Sequence, residues 1–191
     1  MKLNSIILLI PAVLLFSCTS GTFINSGNKS FKTQLDILVD SMSVSWNTME
    51  SSDANKISGL KRILDELSYA EKVNNVEMES ILNSYQKVVI SKLNPTDMTD
   101  EKIDEYDRLS DILIKKVFHL IDSLPDTENY PIIASLKSDI SKADENLVIY
   151  RYKYDKWANQ YNKKIEGKEK KLRKMGSPYN QYKKRKLFAI Q

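Results

Sequence analysis

His119 is the one histidine in the chain, and its neighbours Phe118 and Leu120 are apolar. A general base or metal ligand at that position would need carboxylates or a second histidine close by, so a structural or surface role is the expected one. Cys18 is the one cysteine, which excludes an intramolecular disulfide and leaves no second thiol for a metal. No HExxH, GxSxG or phosphate-cradling glycine loop is present. Carboxylates are plentiful, and a site built from them alone stays open, but solvated helix faces account for them more simply. The sequence therefore gives no expectation of catalytic residues, of a bound metal or of a cofactor. One aromatic group does have suggestive spacing: Tyr150, Tyr154, Trp157 and Tyr161 follow at steps of three and four. Such a strip can stack on a glycan or a peptide. It also continues the aliphatic positions Ile133 to Leu147 in phase, which is how a core seam reads.

Cys18 gains meaning from what precedes it. Residues 1–17 place Lys2 before an apolar run from Ile6 to Phe16, interrupted at Pro11. The run is far short of the roughly 20 apolar residues that span a bilayer and has the pattern of an export signal. Leu15-Phe16-Ser17-Cys18 resembles the lipobox of bacterial lipoproteins, with an aliphatic residue at −3 and a small one at −1. Phe16 at −2 is bulkier than usual for that position. The resemblance implies cleavage before Cys18 and a diacylglycerol thioether on its sulfur. Two or more acyl chains anchor a protein stably where one does not. The expected location is thus the cell envelope, on the periplasmic or outer-membrane side, with the membrane as first partner. Thr19–Ser30 is small, polar and turn-rich, so residues 18–30 read as a tether.

The charge is unevenly distributed. Loss of residues 1–17 leaves 28 basic and 25 acidic residues. Residues 151–191 hold 14 Lys/Arg against three acids, a balance of +11, whereas 18–150 carry −8. The basic candidates are Lys163, Lys164, Lys170, Lys171, Arg173 and Lys174, then Lys183, Lys184, Arg185 and Lys186 in a tail over 176–191. Such a cluster suits anionic lipid headgroups, at about 1 kcal/mol per cation near a charged surface. An acidic envelope protein is a second partner. Nucleic acid is not expected for an exported chain. Simple solvation, favoured by the negative end of a helix dipole, is the bland alternative.

Few glycines and prolines, 28% charged residues and long periodic segments point to an all-α domain over 31–175. The spacing predicts a first helix over 31–49, with Ser51, Ser52 and Asp53 as a stop and as caps for the next. A second helix runs from Ala54 to before Pro95, either as one long rod or broken at Asn74-Asn75. Thr99, Asp100 and Glu101 start a third helix that ends before Pro125. The fourth begins after Pro131 and extends to Met175, about 44 residues or roughly 65 Å. A rod that long needs a long partner, and the second helix is the candidate. The expected architecture is an elongated antiparallel bundle of three to four helices, with long second and fourth members.

The stretch RYKYDKWANQYNKKI resembles the LemA family, in which an arginine precedes two tyrosine–asparagine pairs a heptad apart. Arg151, Tyr154-Asp155 and Tyr161-Asn162 fit that pattern, with Asp155 in place of the first asparagine. Trp46 and Tyr69-Ala70 fit further family positions, while Ser58–Leu64 lacks the family's proline. The resemblance implies a membrane-anchored helical bundle and supplies no activity. The function expected is a non-enzymatic spacer or adaptor in the envelope. A ligand-binding lipoprotein using the Tyr150–Tyr161 strip is the alternative.

Overall fold

The structure is a computed structural model that describes residues 30–69, 73–125 and 130–188. Those residues form five α-helices and no strand: α1 Phe31–Leu67, α2 Asn75–Ile90, α3 Asp100–Ser123, α4 Pro131–Ile165 and α5 Glu169–Met175. A 3-10 turn, Tyr179–Gln181, follows, and residues 182–188 run on without helix.

The Ser51–Asp53 stop does not exist. α1 continues through it as a single 37-residue helix. Serine and aspartate cost only a few tenths of a kcal/mol within a helix, and the buried stripe Leu35, Met42, Trp46, Met49 carries on as Lys56, Leu60, Ile63 and Leu67. Ser45 and Thr48 spend their hydroxyls on the carbonyls of Ser41 and Val44, one turn back. The chain breaks later, and Asn74 restarts it. The Asn74 side chain accepts from the N–H groups of Val76 (3.0 Å) and Glu77 (3.3 Å), capping α2. The long second helix is therefore absent, and its first half belongs to α1.

α3 begins as its sequence predicts, with the Thr99 hydroxyl accepting from the Lys102 N–H at 3.3 Å. α4 is shorter than predicted. It ends at Ile165, because Gly167 takes a left-handed φ of 65° that a continuing helix cannot use. The basic residues beyond it form the separate helix α5.

The long partner of α4 is α1, packed antiparallel. Gln34 meets Lys164, Lys56 meets Asp144, and Gly59 lies against Ile140. α2 packs antiparallel on α3, where Lys116 donates to Ser80 and Ser84. The core has two clusters. One joins the second half of α1 to α2, α3 and the first half of α4. The other joins the first half of α1 to the second half of α4, α5 and residues 179–188.

Gly59 of α1 lies directly against Ile140 of α4. A Cβ added there would sit 3.2 Å from Ile140 Cγ1. Gly59→Val forces two further methyls into that contact and should cost about 1–3 kcal/mol. Thermal unfolding of the variant checks this, and an unchanged midpoint would show that the helices can part there freely.

Candidate functional site

A polar layer separates the two core clusters. Lys56, on α1, is 2% exposed, a rare state for lysine. Its Nζ lies 3.2 Å from Asp53 Oδ1, one turn back, and 3.1 Å from Asp144 Oδ1 on α4. The Tyr106 hydroxyl, from α3, donates to Asp53 Oδ2. Burial, and then the negative charge of Asp53, push that phenol far above its ordinary range, so it remains a proton donor. Nearby, the Arg151 guanidinium of α4 grips Asp107 of α3 with two bonds of 2.6 and 2.5 Å. Three helices are thus cross-linked by these pairs, while Asp53 Oδ1 and Arg151 Nε are buried without a hydrogen bond. A cavity of about 30 Å³ lies beside Trp46, Asp53, Tyr106 and Arg151, the room of about one water molecule.

Residues 182–188 close over this layer. The Phe188 ring stacks on Trp46 at 6.2 Å, meets the edge of Tyr154 at 5.7 Å and receives the Arg151 guanidinium at 4.6 Å. Trp46 and Tyr154 are themselves 5.3 Å apart, edge to face. The Phe188 N–H donates to Asp155 Oδ1 at 2.8 Å. Further along, the Asn162 side-chain amide accepts from the Arg185 N–H and donates to the Arg185 carbonyl, both at 2.7 Å.

The aromatic strip is therefore not an open one. Tyr154 and Tyr161 are 0% exposed, packed beneath Phe188 and Tyr182, while Tyr150 and Trp157 are half-buried against the same cluster. Only the outer faces of Tyr150 and Trp157 remain for a ligand, and Lys153 and Lys156 already lie over those rings. The core continuation of the Ile133–Leu147 seam explains these positions, because each ring follows the seam in phase.

The tail over 176–191 is, through residue 188, a docked segment rather than a solvated one. Lys184 pairs with Glu166 and Lys186 with Asp100, each at 2.6 Å, and Arg185 is held through its backbone. Lys164 donates to Gln34. Lys163, Lys170, Lys171, Arg173, Lys174 and Lys183 stay exposed. Lys171 lies 4.0 Å over the Phe31 ring, and Tyr179 donates to Asp36 at 2.8 Å, so α5 sits against the first turn of α1. His119 is exposed on α3. Among the described residues no group of three His, Cys, Asp or Glu could hold a metal ion, and no helix is long and apolar enough to cross a membrane. Cys18, the signal segment 1–17 and the tether through residue 29 lie outside the described residues.

Spacing did not single out Lys56, Tyr106, Asp107 or Asp144, and offered Asp53 only as a cap, because the cross-helix bonds join residues 44 to 88 positions apart. Arg151, Asp155 and Asn162 were visible as a pattern but not as contacts. No family model, curated protein or solved structure matches this chain.

The buried phenols predict a pH response. Burial is the main cause that pushes Tyr154 and Tyr161 up to about 12, with the positive charge of Arg185 opposing it. In the unfolded chain both titrate near 10. Below pH 10 both states keep these protons and stability is unaffected by them. Between pH 10 and 12 the unfolded chain loses protons that the folded chain retains, so stability falls by about 1.4 kcal/mol per pH unit for each tyrosine. Urea midpoints measured from pH 9 to 12 should stay level and then drop.

Proposed function

We propose that this chain is a lipid-anchored protein of a bacterial envelope, a non-enzymatic LemA-like helical spacer or adaptor. The observation that carries the reading is Leu15-Phe16-Ser17-Cys18 directly after a short apolar run. The LemA-like reading is supported by the Arg151, Tyr154-Asp155 and Tyr161-Asn162 pattern, each member of which has a defined contact in the fold. The non-enzymatic reading is supported by the polar layer, whose ionic groups are engaged with one another and lock helices together.

The basic end belongs to the same reading. α5 packs against the first turn of α1, and the tether joins α1 there after the 12 residues Thr19–Ser30. Lys163, Lys170, Arg173 and Lys174 are exposed around that end. Anionic headgroups are the partner such a cluster fits best.

Labelling with radioactive palmitate in bacterial cells tests the anchor. The wild-type chain should take up label and stay in the membrane fraction after an alkaline wash. Cys18→Ser should lose the label and be extracted. An unlabelled wild-type chain would overturn the reading. The Cys18→Ser chain then tests the basic end: it should bind anionic vesicles at low salt and leave them at high salt, where screening shortens to about 3 Å at 1 M.

A further inference from the structure

Tyr154-Asp155 and Tyr161-Asn162, seven residues apart on α4, do the same thing twice. In each pair the buried tyrosine supports a ring from the C-terminal segment: Phe188 on Tyr154 at 5.7 Å and Tyr182 on Tyr161 at 6.0 Å. In each pair the next side chain binds that segment's backbone. Asp155 accepts from the Phe188 N–H, and Asn162 takes both the N–H and the carbonyl of Arg185. The spacings agree. A heptad of α-helix rises about 10.5 Å, and three residues of extended chain, the separation of 185 and 188, span about 10 Å. A helical repeat is thus matched to a main-chain repeat.

Beyond these, the Arg151 guanidinium lies over Phe188, the Arg185 guanidinium donates to the Pro95 carbonyl at 3.5 Å and Leu187 packs on the core. The Lys184–Glu166 and Lys186–Asp100 ion pairs face solvent in part and contribute little. Three main-chain bonds and two anchored aromatic rings are what a bound extended peptide uses. The segment also follows Gly176, at φ 74°, and adds no helix to the bundle.

We propose that the α4 face bearing Asp155 and Asn162 is a docking site for an extended peptide. Residues 182–188 of this chain are its resident occupant, and they leave and return without unfolding the helices. The site reads main chain at two positions and an aromatic side chain at two. The inference is independent of the lipid anchor.

Amide hydrogen exchange of the wild-type full chain, followed by NMR, is the first test. The Arg185 and Phe188 amides should exchange at least 100-fold faster than those of Ala158 and Ile165 on α4. Equal protection would make the segment part of the core and overturn the proposal. The second test titrates a fluorescent synthetic peptide of residues 179–191 into the full chain carrying Phe188→Ala. Saturable binding is expected, at least tenfold tighter than to the wild-type chain, whose site is occupied. Adding Asn162→Ala should weaken it at least tenfold. A folded Phe188→Ala chain that binds no peptide would overturn the proposal. If that variant does not fold, the exchange rates of the wild-type chain decide alone.

Discussion

Tyr154→Ala is expected to destabilise the fold by about 3–5 kcal/mol, whereas Tyr154→Phe should leave stability unchanged or raise it by up to about 1 kcal/mol. The ring is fully buried and touches both Trp46 and Phe188. Truncation leaves a cavity where α1, α4 and the C-terminal segment meet. The hydroxyl is different, because its oxygen is buried and makes no hydrogen bond. A buried hydroxyl without such a bond costs free energy, so removing it relieves that cost. Urea unfolding of the two variants separates ring from hydroxyl. A loss well above 1 kcal/mol for the phenylalanine variant would show that the hydroxyl finds a bond in solution. Tyr161 shares the same burial and the same bare hydroxyl, and Tyr161→Phe should behave alike.

Arg151→Ala is expected to cost about 2–3 kcal/mol. Three effects add: the two bonds to Asp107, the cation over the Phe188 ring, and the packed alkyl stem. The Asp107 side chain is 39% exposed, so the carboxylate left behind is rehydrated and the cost stays below that of orphaning a buried charge. Arg151→Lys should recover less than half of the loss, because an ammonium cannot grip both carboxylate oxygens in a plane. A double-mutant cycle with Asp107→Asn measures the pair directly, with a coupling of about 1–2 kcal/mol expected. Zero coupling would mean that Arg151 acts through Phe188 and its packed stem alone.

Local chemistry was legible wherever it was sufficient. Thr99, Asp100 and Glu101 define the start of α3 by side chains that reach only a few residues, and Pro131 does the same for α4. Ser51, Ser52 and Asp53 carried equally good cap chemistry and were misleading. A cap forms only where the backbone gains by leaving the helix, and Asp53 instead meets Lys56 and Tyr106 inside it. Asn74 looked weaker and was the real start of α2, where Asn74, Asn75 and Val76 are exposed. The ion pairs of the basic tail were hidden for a related reason: Glu166 and Asp100, the partners of Lys184 and Lys186, lie 18 and 86 residues away. The all-α class was visible in the periodicity of the apolar residues. The pairing of α1 with α4 was not, because it depended on where one helix ended.

The apolar seam of α4 repeats every seven residues, as Ile133, Ile140, Leu147, Tyr154 and Tyr161. On greasy contacts alone, α4 could slide along α1 by about 10.5 Å and find nearly the same neighbours. Lys56 removes that freedom. It faces Asp144, and one step of seven in either direction brings Lys137 or Arg151 to the same place. Each shifted alignment sets two cations against each other in a buried layer. One lysine thus serves the pair of helices as a reading-frame marker, permitting a single alignment out of several that the hydrophobic residues would accept.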